Sequence, residues 1–160
     1  MCARGGHLGQ PIRSNQDCRR SLDRSGLTDS SQGENMLQKL TGKVAVVTGS
    51  GRGIGRSIAL KLASEGARLV INDLDEEPAQ AVREEILRMG GEAVVCCGSV
   101  VAPDFAERLI GTTTHTYQGL DILINNAGYT WDSVIQKMTD EQWYAMIDVH
   151  LTAPFRILKA

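Results

Sequence analysis

What most restricts this chain is an alternation that begins at Lys43, in which short apolar runs are separated by segments with helical spacing. Val44-Ala45-Val46-Val47-Thr48 is apolar almost throughout, the mark of a strand buried on both faces. Ile54, Ile58 and Leu62 then recur every four residues as one apolar face of a helix, which Gly66 closes. Leu69-Val70-Ile71 reads as a second strand ending at Asn72-Asp73. Ala79, Val82, Ile86 and Met89 mark a second helix, stopped by Gly90-Gly91. Ala93-Val94-Val95-Cys96-Cys97 is a third strand, Phe105 to about Tyr117 a third helix, and Ile122-Leu123-Ile124 a fourth strand running into Asn125-Asn126-Ala127-Gly128. A capping box of Thr139 and Gln142 opens the last helix, with Trp143, Ile147, Leu151 and Leu158 along its face. Pro154 should bend that helix locally. Buried strands alternating with helices imply an α/β fold: a doubly wound parallel sheet covered on both sides.

Composition removes several function classes. The 160 residues are 42% hydrophobic and 22% charged, enough apolar material for the core of one domain. Seventeen basic against nineteen acidic residues leave a net charge of -2, so there is no electrostatic case for nucleic acid or an acidic membrane surface. At 4% aromatic residues there is no base-stacking platform either. No apolar run approaches the roughly 18 residues of a spanning helix. Cysteines at 2, 18, 96 and 97 fit neither a disulfide framework nor a zinc spacing, so no metal is expected. Cys96-Cys97 reads as core packing, and His7 and His115 as exposed. The expected setting is the cytoplasm.

Residues 1–38 carry scattered single apolar residues without a period, and are expected to be a disordered tail ahead of a domain over 39–160. Arg13, Arg19, Arg20 and Arg24 suggest a mitochondrial presequence, whereas Asp17, Asp23, Asp29 and Glu34 argue against one. Met36 stands just before the first regular segment, which suggests an alternative start there.

Gly49-Ser50-Gly51-Arg52-Gly53-Ile54-Gly55 lies between the first strand and the first helix. Glycines at such a turn let backbone N–H groups approach a pyrophosphate, and the helix N-terminus adds positive potential. Neither register completes G-x-G-x-x-G, and no Gly-Lys-Ser/Thr follows for a Walker loop. What fits is Thr-Gly-x-x-x-Gly-x-Gly at Thr48, Gly49, Gly53 and Gly55. Asp73, eighteen residues after Gly55, can accept hydrogen bonds from ribose hydroxyls and repels a 2′-phosphate, which favours NAD. Arg52 pulls toward NADP, since a guanidinium in the turn could bind that phosphate.

The glycine pattern, with Asn125-Asn126-Ala127-Gly128 on the fourth strand, resembles the short-chain dehydrogenase/reductase family from about Leu40 onward. The stretch from Asn126 through Trp131, Asp132, Met138, Glu141 and Trp143 looks most like its 3-oxoacyl-carrier-protein reductase branch. The resemblance implies a Rossmann-type sheet, incomplete at the C-terminus because only four of six strands are read here. It implies that Gly49, Ser50, Arg52, Gly53, Ile54 and Gly55 face pyrophosphate and ribose, and that Asp73 holds the ribose. Asn126, Ala127 and Gly128 would line the cofactor, while Asn125 would brace the sheet. Ser99, followed by Val100, stands where the family has an acidic residue against adenine; its hydroxyl can still bond the adenine amine. The implied partners are a small alcohol or ketone, or an acyl thioester, and further copies of the chain in a homo-oligomer.

Two departures bear on catalysis. The family's Tyr-x-x-x-Lys pair and its preceding Ser have no counterpart: Tyr117, Tyr129 and Tyr144 are followed four residues on by Asp121, Ser133 and Asp148. Hydride transfer needs an accompanying proton transfer, so the fragment by itself is expected to be inactive. His150 stands where the family places an Asn that anchors a relay water; it reads either as a holder of that water or as an inward-pointing histidine bonded to backbone. A second reading of the whole is a non-catalytic dinucleotide-binding or interaction fragment.

Overall fold

The computed structural model describes residues 38–160. The expectations for the tail, its alternative start and His7 lie outside those residues. The described elements are β1 (Val44–Val47), α1 (Gly53–Ser64), β2 (Arg68–Ile71), α2 (Glu76–Arg88), β3 (Ala93–Val95), α3 (Phe105–Tyr117), β4 (Ile122–Ile124), a 3-10 turn (Ile135–Lys137), α4 (Asp140–Ile147), a π turn (Asp148–Thr152) and α5 (Ala153–Lys159). Four parallel strands form one sheet in the order β3-β2-β1-β4. The chain runs from β1 outward to β3, then crosses back to β4, so the order reverses between β1 and β4.

Alternation along β1 divides the core into two layers. Ala45 and Val47 pack with Ala59, Ala63, Ala79, Val82 and Ile86 of α1 and α2. Val44 and Val46 pack with Phe105, Leu109, Tyr117, Val149, Ala153 and Ile157 on the opposite face. Helices on both sides explain why the strands, apart from Arg68 at the start of β2, are apolar. The capping box is present, with Thr139 Oγ1 accepting from Gln142 N–H and the Gln142 side chain accepting from Thr139 N–H. Past α1, Gly66 takes φ +90° and its N–H reaches the Ala63 carbonyl, while Ala67 N–H reaches that of Leu62, closing the helix.

Several helix faces differ from the sequence reading. In α1 the buried face is Gly55, Ala59 and Ala63, whereas Ile54 is 75% exposed. Small side chains let α1 lie close on the sheet; of the larger residues one position earlier, Ile54 turns outward while Ile58 and Leu62 stay partly buried against the same core. In the last helical segment Trp143, Leu151 and Leu158 are exposed, and the buried residues are Val149, Ala153 and Ile157. For Leu158, which follows it, the reason is the π turn, in which Ala153 N–H donates to the Asp148 carbonyl five residues back. That extra residue re-phases everything after it, and it does so just before Pro154, which has no N–H to offer the His150 carbonyl. The expected bend is therefore a local widening of the helix. Met89 is exposed at the end of α2. β3 ends at Val95, leaving Cys96 buried in the core and Cys97 only partly covered.

Candidate functional site

The carboxyl ends of the strands open into a cleft of about 580 Å³ at the point where strand order reverses, the place where open parallel sheets bind ligands. Gly49, Arg52, Gly53, Ile54, Gly55, Asp73, Ser99, Val100, Asn126, Ala127 and Gly128 line it. Those residues come from loops far apart in sequence, up to 79 positions from Gly49 to Gly128, and the strand order brings them together. Ser50 is not on the wall: it is fully buried, and its hydroxyl is shared between the carbonyls of Val47 and Asn72. His150 is also off the wall and is exposed rather than inward-pointing. Its Nε2 lies 2.8 Å from the Tyr129 carbonyl, so that nitrogen carries the proton.

A polar clasp closes the cleft floor. Asn126 Nδ2 donates to the carbonyls of Thr48 and Gly49, both at 3.0 Å. Thr48 Oγ1 in turn accepts from the N–H groups of Asn126 and Ala127, again at 3.0 Å. Asn125, expected to brace the sheet, is exposed, and the bracing falls to Asn126. The glycines make the clasp possible. A Cβ at Gly49 would come within 2.8 Å of Ala127 Cα, and one at Gly55 would strike the Gly49 carbonyl and lie 2.5 Å from Asn126 Nδ2.

The N-terminus of α1 opens onto the cleft without a counter-charge. Its N-cap Arg52 makes no side-chain cap, and no acid lies in the first turn, in contrast to Glu76 and Glu77 in α2 or Asp140 and Glu141 in α4. The first-turn N–H groups and the helix dipole together favour an anion. At the far rim, Asp73 Oδ2 accepts from Gly51 N–H at 2.8 Å, with a glycine needed because a Cβ there would come within 2.7 Å of that oxygen. Arg52 Nη1 pairs with Asp75 Oδ2 at 2.9 Å.

Asn72, which the sequence marks only as a strand end, is buried and ties three loops together. Nδ2 donates to the carbonyls of Cys96 and Gly98 at 3.0 Å, and Oδ1 accepts from Gly49 N–H at 3.4 Å. Cys97 supports the same loop from below, with its thiol near the carbonyls of Asp73 and Leu74 at 3.3 and 3.4 Å. Burial pushes the Cys97 thiol pKa up, and the carboxylates of Glu76 and Asp73 add to the rise. Leu74, Asp75, Gly98, Tyr129 and Val149 complete the wall. No strong local pattern flags them, since each enters through its neighbours in space. Among the described residues no group of acids, histidines or cysteines could hold a metal ion, and no helix is long and apolar enough to cross a membrane.

Known proteins share this arrangement. The family model for short chain dehydrogenases matches residues 43–160. A 3-oxoacyl-[acyl-carrier-protein] reductase of Synechocystis sp. is 43% identical over 125 residues, covering 78% of this chain and 51% of that protein. The peroxisomal hydratase-dehydrogenase-epimerase of Saccharomyces cerevisiae is 40% identical over 134 residues, 84% of this chain and 15% of that one. A crystal structure of a short chain dehydrogenase from Mycobacterium avium superposes with a TM-score of 0.72 at 42% identity, over 75% of this chain and 44% of its own. A metagenomic short-chain oxidoreductase in complex with NADP gives the same TM-score at 40% identity, over 76% and 55%. The chain thus spans about half the length of the reductases it matches. With residues 43–160 matched by that model, the chain belongs to the short chain dehydrogenase family.

Proposed function

We propose that this chain is the dinucleotide-binding part of an NAD(P)-dependent oxidoreductase that moves hydride between nicotinamide and an alcohol or ketone, with a 3-oxoacyl thioester as one substrate class. The observation that carries the reading is the uncapped, acid-free N-terminus of α1 on a glycine turn, facing a cleft whose opposite rim holds Asp73. Pyrophosphate would take the first-turn N–H groups near Gly53 and Ile54, and Asp73 the adenosine ribose. Ser99 and Val100 would flank the adenine, while the backbone of Asn126, Ala127 and Gly128 would line the nicotinamide half. When bound, the nicotinamide supplies the hydride chemistry. The chain's own residues bind and orient it, and none of them forms the Tyr-x-x-x-Lys pair that would move the proton.

NAD is the favoured form. The rim holds Asp73 and Asp75 against one guanidinium, and Asp75 already engages Arg52, so a 2′-phosphate would meet net negative charge. The structural relative that carries NADP supports the alternative, with Arg52 released from Asp75 to meet the phosphate. The domain runs over 39–160 with the proton-transfer segment outside it, the cytoplasm is the compartment, and exposed Trp143, Leu151 and Leu158 support a homo-oligomer. The absent Tyr and Lys also favour a second reading, a dinucleotide-binding fragment without turnover. Calorimetric titration with NAD and NADP tests the site: NAD should bind measurably and more tightly than NADP, and binding of neither would refute it. Ketone reduction by the 160-residue chain at a rate above buffer would refute the assignment of proton transfer to residues outside it.

A further inference from the structure

Three loops of the cleft meet at one buried side chain. Asn72, just past the end of β2, is 1% exposed. Its backbone is fixed to the glycine turn: its N–H donates to the Val47 carbonyl at 3.2 Å, and its carbonyl accepts from Ser50 N–H at 2.7 Å. The amide has one orientation that suits its partners. Nδ2 donates to the carbonyls of Cys96 and Gly98, both at 3.0 Å, while Oδ1 faces Gly49 N–H at 3.4 Å. Among the described residues no other side chain donates to those two carbonyls. Arg108 of α3 holds the carbonyl between them, that of Cys97, at 2.8 Å. Ser99 and Val100 follow directly in the chain and line the cleft. Aspartate has no N–H to give such carbonyls, a hydroxyl has one donor, and leucine has neither donor nor acceptor.

We infer that Asn72 is a positioning residue for adenine recognition: through the Cys96 and Gly98 carbonyls it sets where Ser99 and Val100 stand relative to the glycine turn. Adenine and pyrophosphate then meet walls already in register. Without the tie, the loop after β3 would have to be ordered by the dinucleotide itself, which weakens binding. This inference rests on the dinucleotide reading above, and its test separates the two.

The full-length protein is first titrated with NAD and NADP by calorimetry; if neither binds, the dinucleotide reading falls and takes this one with it. A double-mutant cycle on Asn72 and Ser99 then reads the coupling. Ser99→Ala should weaken NAD about five-fold, the worth of one hydrogen bond. Asn72→Ala should weaken it about ten-fold, and adding Ser99→Ala to that variant should cost less than about two-fold, because the hydroxyl is no longer held on the adenine. A role in stability alone gives two losses that multiply. Asn72→Asp adds a pH profile. Burial and the two carbonyls raise that carboxyl's pKa; protonated it can donate, and ionised it repels both. Its NAD affinity should therefore rise about five-fold or more from pH 8 to pH 5.5, while the unmutated protein changes less than about two-fold. In the unmutated, nitrogen-15-labelled protein, the Asn72 side-chain amide signal should shift when NAD binds. Losses that multiply, an Asn72→Ala variant that binds NAD unchanged, a pH-independent Asn72→Asp variant, or an unmoved Asn72 signal would overturn the proposal. The last needs no variant.

Discussion

Replacing Gly55 with alanine sets two effects of opposite sign against each other. Gly55 is the third residue of α1 and is not among the positive-φ glycines, so by helix propensity alone alanine would stabilise by up to about 1 kcal/mol. The clasp predicts the reverse. The new Cβ would strike the Gly49 carbonyl and crowd Asn126 Nδ2 at 2.5 Å, the atom that donates to both Thr48 and Gly49. Losing two such hydrogen bonds costs about 1–3 kcal/mol. Forcing the backbone apart adds about 1–3 kcal/mol more. The net expectation is about 3 kcal/mol of destabilisation, or roughly 12 °C in Tm for a domain of about 120 residues. Two companions calibrate it. Gly53→Ala meets open space but sits at φ +54°, and should cost about 1–2 kcal/mol. Gly111→Ala, in α3 with nothing within 4 Å, should stabilise by about 0.5–1 kcal/mol. Urea unfolding of the three variants measures the series. If Gly55→Ala tracks Gly111→Ala, the clasp is not what holds the two crossovers together.

Asp121 accepts from Val44 N–H and pairs with Lys43, and the Lys43 hydrogen bond, then the Val44 N–H, hold its carboxyl below the ordinary value. A carboxylate with a lowered folded pKa stabilises above its unfolded pKa, near 4, and that contribution is lost as pH falls through the folded value. Asp121→Asn should therefore weaken the protein at neutral pH and flatten the acid limb of its stability curve; an unchanged acid limb on thermal melts would contradict the assignment. Asp73→Ala should shift the NAD-to-NADP affinity ratio toward NADP by about ten-fold, about 1.4 kcal/mol, and calorimetry with both dinucleotides reads it. Cys97, its pKa raised by burial and by Glu76 and Asp73, should react with iodoacetamide at neutral pH more slowly than a free thiol, as followed by peptide mass; reaction at the free-thiol rate would contradict that environment.

Strand positions were open to reading because a fully buried strand leaves a continuous apolar run. β1, β2 and β4 fall where Val44, Leu69 and Ile122 begin such runs. The glycine turn and Asp73, which share one cleft, stood out in the sequence because their backbone needs are local. Helix faces were less so. A face built of Gly55, Ala59 and Ala63 carries almost no hydrophobic signal, while the exposed Ile54 carries a strong one. Asn72 and the clasp made by the Asn126 side chain escaped for another reason: each works through backbone groups 23 or more residues away, and an asparagine beside a turn reads as a turn residue until those groups are in place.

The π turn at Asp148–Thr152 amounts to one residue more than an α-helix would hold there. Each helical residue turns the face by about 100°. Deleting a single residue from that turn would leave a continuous helix with a normal-looking sequence, yet it would swing Ala153 and Ile157 off α3 and bring Pro154 and Leu158 into their places. The turn and the segment after it are thus keyed to different neighbours: the turn to Tyr129 through His150, and α5 to α3. Indels here would act as phase errors, and a homologue lacking one residue at this point would need a different set of inward side chains to fold the same way.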